Sequence, residues 1–147
     1  MKVYTIGFTQ KHAEDFYEKI KKEKIDLLID VRLNNTSQLA SFSKFPDIVY
    51  FLDKLCNVKY RHDTTFSPTD DLLKNYKKGI VSWEDYEKIF AETMEGRKIT
   101  EYISEQYRDQ SVSNICLLCS EATAEKCHRR LVAEYFNKVF DAEIIHL

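Results

Sequence analysis

The stretch Ile25-Asp26-Leu27-Leu28-Ile29-Asp30-Val31 is a near-continuous apolar run with little polar alternation. A strand with one face in water alternates apolar and polar side chains. A strand without that alternation is covered on both faces, as in a parallel sheet. Parallel neighbours cannot be joined by a tight hairpin, so such a chain must place crossover segments between its strands.

The rest of the sequence supplies those segments. Val3–Phe8 reads as a first strand, and His12–Lys24 follows with Ala13, Phe16, Tyr17 and Ile20 at helical spacing. Residues 34–44 form a polar loop, and Pro46 suits the first turn of a helix carrying Ile48, Val49, Phe51, Leu52 and Leu55. Val58–His62 is a third strand. Asp70–Lys78 is a short helix stopped at Gly79, and Ser82 caps the next, with Trp83, Tyr86, Phe90 and Met94 on one face. A helix over Ile99–Tyr107 and a strand over Asn114–Cys119 come next. A helix over Cys127–Phe140 then turns Leu131, Val132, Tyr135, Phe136 and Val139 inward, before a closing strand from Glu143. The expectation is one α/β domain over residues 1–147, a three-layer sandwich with a mainly parallel sheet flanked by helices. With 147 residues, 3 Gly and 2 Pro, there is no sign of a long linker or a second domain.

Several function classes find no support. A net charge of −2 exerts no global pull on nucleic acid or acidic membranes. Lys77, Lys78, Arg129 and Arg130 form no continuous basic stripe, so there is no clear nucleic-acid signal. No apolar run approaches the ~20 residues of a spanning helix. The strand pattern begins at Val3 with no signal peptide before it. The expected location is the cytoplasm, where Cys56, Cys116, Cys119 and Cys127 are reduced thiols rather than a disulfide framework. Nothing here names a cofactor or an oligomeric state.

Residues 115–129 carry most of the reactive chemistry. An apolar run ends in Cys119, with Glu121 two residues on. After a polar turn, Cys127, His128 and Arg129 open the last helical pattern. Ligands of α/β proteins gather at such strand-to-helix junctions, because helix N-termini present free N–H groups there. Cys119 is a candidate nucleophile if a helix N-terminus or a nearby cation lowers its pKa; the alternative is a thiol that only fills the core. Glu121 and His128 are candidates for moving a proton. Arg129 sits at the wrong end of a helix for the macrodipole. It therefore calls for an anionic partner, either a ligand or a carboxylate such as Glu121 or Asp30. Asp30 and Arg32 lie two apart at a strand end, so their side chains leave on the same side. They read equally as an anion-holding pair and as a structural ion pair.

Cys116-x2-Cys119 resembles a metal or redox pair, but odd spacing on a strand sends the two sulfurs to opposite faces, leaving Cys116 in the core. No metal is assigned. A metal-binding alternative would use Cys119, Glu121, Cys127 and His128. Neighbours on a helix diverge by roughly 100°, which argues against Cys127 and His128 sharing one ion.

Three segments in order, Thr5-Ile6-Gly7, Asp30-Val31-Arg32 and Cys119-x-Glu121-x5-Cys127-His128-Arg129, together resemble an uncharacterised bacterial and archaeal family, the domain of unknown function 488. The likeness covers nearly the whole chain, and the third motif is the specific one. Many members carry a basic, Pro-containing loop after the Asp-x-Arg pair. Here residues 34–40 are rich in amides and hydroxyls, which weakens that loop as a polyanion site. The resemblance implies an α/β domain and no particular activity.

The leading expectation is a cytosolic α/β protein with a polar, partly cationic pocket at the C-terminal edge of its sheet. Its ligand would be small and anionic or nucleotide-like, with hydrolase or transferase chemistry. Cys119, Glu121 and His128 would be catalytic; Asp30, Arg32 and Arg129 would hold the ligand. The opposing expectation is a non-catalytic binding or scaffold module in which these residues form an ion-pair lock. Close packing with no cavity around Arg32 and Arg129 would mark that second class.

Overall fold

Every strand pair is parallel, as the two-sided apolar runs require. The computed structural model describes residues 1–36, 40–109 and 111–147; Ser37, Gln38 and Leu39 of the polar loop lie outside the described residues. The strands are β1 (Lys2–Gly7), β2 (Leu27–Asp30), β3 (Lys59–His62), β4 (Asn114–Cys119) and β5 (Glu143–His146), in the order β3-β2-β4-β1-β5. The α-helices are α1 (Ala13–Lys22), α2 (Asp47–Phe51), α3 (Asp70–Lys77), α4 (Trp83–Gly96), α5 (Ile99–Gln106) and α6 (His128–Phe140).

The sheet separates two apolar layers by strand parity. Tyr4, Ile6, Leu28, Cys116 and Leu118 pack with Phe16 and Ile20 of α1 and Ile48 of α2. Val3, Ile29, Ile115, Leu117 and Cys119 pack on the other face, with Phe90 and Met94 of α4, Ile103 of α5 and Phe136 of α6. The chain is therefore a three-layer α/β sandwich. Cys116 and Cys119 face opposite layers, as their spacing implies. No helix among the described residues is long and apolar enough to cross a membrane.

β4, fourth in sequence, lies between β2 and β1. Gly7 pairs with Cys119 and Asp30 with Leu118. This register brings the ends of three distant segments side by side at the C-terminal edge, where open α/β sheets bind ligands.

Three local details differ from the sequence reading. The helix after Pro46 changes at Leu52 into a π turn over Leu52–Cys56, ended by Asn57 in the left-handed region at φ 55°. Asn is among the few side chains that adopt that conformation readily. A short 3₁₀ turn, Thr64–Phe66, follows β3; Asp63 caps it by accepting from the Thr65 N–H at 3.1 Å. Helix α6 begins at His128 rather than Cys127, and its buried stripe is His128, Arg129, Val132, Ala133 and Phe136. Leu131, Tyr135 and Val139 sit at the margins of that stripe.

Gly7 shows why β1 must end in glycine. A Cβ there would overlap the Glu121 carbonyl oxygen and come within 2.8 Å of Arg129 Nη1. The carbonyl belongs to a backbone that a bond to Arg129 already holds. We expect Gly7→Ala to destabilise the domain by about 1–3 kcal/mol, the usual range for overpacking. Urea unfolding checks this; an unchanged midpoint would mean that the loop after β4 yields freely.

Candidate functional site

Asp30 leaves the end of β2 fully buried, and Arg32, two residues on, is 4% exposed. Arg32 donates from Nε to Asp30 Oδ1 at 2.8 Å and from Nη2 to Oδ2 at 2.7 Å, a two-point fork. Nη2 also donates to the Ser43 carbonyl at 2.7 Å. The Tyr60 hydroxyl donates to Asp30 Oδ2 at 2.7 Å, and Phe8 lies under the guanidinium with its ring centroid 5.3 Å from Cζ. Burial alone would lower the Arg32 pKa, but the hydrogen bonds and charge of Asp30 outweigh it and raise it. The pair is closed upon itself, so Arg32 reaches the site as half of a neutral unit. His62 Nε2 lies 2.7 Å from the Arg32 carbonyl and fixes the backbone there.

Arg129 behaves differently. It is fully buried in the first turn of α6. Nη1 donates to the Glu121 backbone carbonyl at 2.5 Å and lies 3.7 Å from Cys127 Sγ; Nε has no hydrogen-bond partner among the described residues. The expected bridge to the Glu121 or Asp30 carboxylate is not formed, because Asp30 is taken by Arg32 and Glu121 offers its carbonyl instead. Among the described residues no carboxylate lies within 4.0 Å of this guanidinium. A buried cation without a counter-ion is costly. Its positive field is felt nearby: burial first, then Arg129 and Arg130, hold the His146 imidazole below its ordinary pKa.

The ionisable groups beside Arg129 are thiols. Cys119 ends β4, and its Sγ lies 3.5 Å from His128 Nδ1. His128 Nε2 is 2.8 Å from the Val31 carbonyl oxygen. That oxygen can only accept, so Nε2 carries a proton, and Cys119 Sγ lies 3.8 Å from this nitrogen as well. The Ser67 hydroxyl donates to the same carbonyl at 3.0 Å. Cys119 is held below the ordinary thiol value first by a hydrogen bond from the Cys127 thiol. That bond outweighs the burial penalty, and the Ser120 N–H and the Arg129 charge add to it. Cys127, whose proton is held against Cys119, is pushed well above the ordinary value, with burial adding to the effect. Burial pushes Cys116 up as well, against the pull of Arg129.

Native alkylation separates these thiols. We expect an iodoacetamide pulse at pH 7 to modify Cys119 well before Cys116, which is fully buried on the opposite face. Peptide mapping reads the order, best in a Cys56→Ser background because Cys56 is partly exposed. Earlier labelling of Cys116 would contradict the face assignment.

A cavity of about 980 Å³ opens over this centre. Arg32, Cys119, Glu121, Cys127 and His128 line it, together with Lys77, Lys126 and an aromatic wall. In that wall Trp83 stacks on Tyr86 at 4.9 Å and 16°, and Tyr76 lies 5.1 Å from Tyr86. Arg129 is not on the wall; it lies behind it. The two arginines therefore separate: Arg129 locks the loop, and Arg32 borders open space. Glu121, with its side chain exposed, is at the rim.

The donor atoms of Cys119, Cys127 and His128 all lie within 4.8 Å of one another. Cys127 and His128 do not diverge as two consecutive helical residues would, because Cys127 precedes the helix, in extended conformation at φ −139° and ψ 138°. These three could hold a soft divalent cation with a fourth position open to the cavity; Glu121 is not in the cluster. Charge bookkeeping disfavours this occupancy. Two thiolates neutralise a divalent ion and leave Arg129 uncompensated, whereas one thiolate neutralises Arg129 alone.

Ser67, the Val31 carbonyl and the aromatic wall were not singled out from sequence as site elements; Cys127 was, as a ligand of the metal-binding alternative. Only the wall left a usable trace, in Trp83 beginning the apolar face of α4 with Tyr76 shortly before it.

Fold and site together define an α/β domain with a buried Cys/His/Arg centre beneath a cavity at the C-terminal edge of a parallel sheet. The chain belongs to the family described as Domain of unknown function DUF488, which matches residues 12–136. That span contains Asp30, Arg32 and the whole segment from Cys119 to Arg129. No curated protein and no solved structure gives a match.

Proposed function

We propose that the chain is a thiol-dependent hydrolase or transferase whose nucleophile is Cys119, acting on a small ligand that is anionic and carries a planar ring. The observation that carries this reading is Arg129: a fully buried cation with no carboxylate partner among the described residues, behind two thiols. A thiolate on Cys119 completes that charge pair and points the same sulfur into a ligand-sized space. His128, anchored through Nε2 to the Val31 carbonyl, takes or returns a proton at Nδ1. The Asp30–Arg32 unit holds the β2 end rigid, and the carboxylate of Glu121 at the rim exchanges protons with solvent. The anion is met by Lys77 and Lys126, whose charges are not cancelled by a buried partner, and by the open side of Arg32. The ring lies on the wall of Tyr76 and Trp83.

The chemistry is attack of the thiolate on an electrophilic acyl or phosphoryl centre: the new S–C or S–P bond forms, the bond from that centre to the leaving-group oxygen breaks, and the alcohol or phosphate departs with a proton, leaving a covalent thioester or S-phosphate. Water or a second acceptor then releases the group. The test uses p-nitrophenyl acetate, p-nitrophenyl phosphate and nucleoside phosphates on wild type and Cys119→Ser. We expect a covalent adduct mapped to Cys119 with at least one of them, absent in the variant. The variant should still show a thermal shift with that ligand by mass action. No adduct and no shift with any probe would leave the non-catalytic scaffold reading standing.

A further inference from the structure

Cys127 is the one reactive group of the centre that the proposed group transfer does not consume. Its sulfur lies within 4.8 Å of Cys119 Sγ, on the same cavity wall. It sits at the end of the turn that leads from β4 into α6, in extended conformation rather than inside the helix. A sulfur on such a segment can move towards its neighbour without unwinding the helix that follows. The other thiols have no such partner: Cys116 is on the far side of the sheet, and Cys56 is in the π turn after α2.

We propose that Cys119 and Cys127 are a redox modification site, closing a reversible intramolecular disulfide when a hydroperoxide enters the cavity. This inference deepens the reading of Cys119 as a reactive thiolate and assigns Cys127 the resolving role. In the first step the Cys119 thiolate attacks one oxygen of hydrogen peroxide. An S–O bond forms, the O–O bond breaks, and hydroxide leaves and is protonated to water. Sulfur is oxidised to a sulfenic acid and the peroxide is reduced. In the second step Cys127 gives up its proton, and its sulfur attacks Cys119 Sγ. The S–S bond forms, the S–O bond breaks, and the departing hydroxide takes up a proton as water. Two thiols and one peroxide thus give one disulfide and two waters.

The surroundings favour the second step. The two sulfurs lie within 4.8 Å of one another, so a sulfenic acid on Cys119 has Cys127 beside it. Arg129 Nη1, 3.7 Å from Cys127 Sγ, then has Cys127 as the remaining site for its counter-charge. Closure would remove the nucleophile from use and shield it from irreversible oxidation to sulfinic acid. A dithiol reductant would restore it.

The experiment is titration of the purified full chain with hydrogen peroxide, followed by denaturing alkylation and mass mapping. We expect wild type to lose about 2 Da, two hydrogens, in a peptide pair joining Cys119 to Cys127, with full recovery in dithiothreitol. Cys127→Ser should instead accumulate sulfinic acid on Cys119, which dithiothreitol does not reverse. Should that variant not fold, Cys127→Ala serves, and the wild-type map is decisive without either. Sulfinic acid on Cys119 of wild type with Cys127 still free would overturn the proposal. So would a bond between any other pair, or a co-purified metal that blocks oxidation until it is chelated. The readout needs no substrate. A missing disulfide therefore leaves the nucleophile reading intact, and a missing substrate adduct leaves the disulfide reading intact.

Discussion

Asp30→Ala should destabilise the domain by about 3–5 kcal/mol, the usual cost of stranding one partner of a buried ion pair. The size follows from what is left behind. Arg32 is 4% exposed and, unlike a lysine, cannot shed its proton to escape the loss. Without Asp30 it keeps one bond to the Ser43 carbonyl and the face of Phe8. The Tyr60 hydroxyl loses its acceptor at the same time. Asp30→Ala combined with Arg32→Met should recover most of the loss, because an apolar pair of similar bulk carries no stranded charge. Urea unfolding followed by the fluorescence of the single Trp, Trp83, measures both variants. If the double variant is no more stable than the single, the Arg32 charge was not the source of the cost.

That comparison also separates two roles that sequence alone left equal. Asp30 and Arg32 were legible as a pair from their spacing on a strand, because side-chain parity is a local rule. Their closure on each other was not, because it depends on Tyr60 and Ser43, which arrive from other segments. The same division runs through the site. Parity placed Cys116 and Cys119 on opposite faces. The near-continuous apolar run at 25–31 required a parallel sheet. The orphan status of Arg129 in its helix was readable as an electrostatic misfit, but its partner is a backbone carbonyl, and periodicity carries no information about carbonyls.

Cys127 illustrates how much rests on one residue of a boundary. Counted as helical, its sulfur and the His128 ring point about 100° apart. Counted as the residue before the helix, it turns its sulfur into the centre. Helix ends cannot be fixed from pattern to better than a residue or two. A site built on a helix N-terminus therefore inherits that uncertainty directly. His128 escapes it because the Val31 carbonyl holds its ring from the neighbouring strand end. Glycine 7 of β1 belongs to the same assembly: its bare Cα lets the Glu121 carbonyl reach Arg129.

Arg129→Met should slow alkylation of Cys119 at pH 7, since the Arg129 charge is one of the causes that hold the Cys119 pKa down, behind the Cys127 hydrogen bond and the Ser120 N–H. In wild type the Cys119 pKa lies below the ordinary thiol value, so the rate should climb with thiolate fraction at a pH where a free thiol is still protonated. Removing the cation moves that climb to higher pH. The two rates should converge once both thiols are ionised. Reactivity is a cleaner readout than stability here. Cys119, with its lowered pKa, stabilises the fold above the ordinary thiol pKa, and that contribution is lost as pH falls through its folded value. Cys127, with its raised pKa, acts in the opposite sense and stabilises the fold below the ordinary value. The two partly cancel in any unfolding curve, but only Cys119 is counted by adduct mapping. Arg129→Lys distinguishes charge from shape: it keeps the cation but not the planar guanidinium, whose Nη1 reaches both the Glu121 carbonyl and Cys127. An intermediate shift in the profile would fit a field effect. An unmoved profile in Arg129→Met would mean that Cys119 is not its counter-ion, and the argument for a thiolate enzyme would lose its main support.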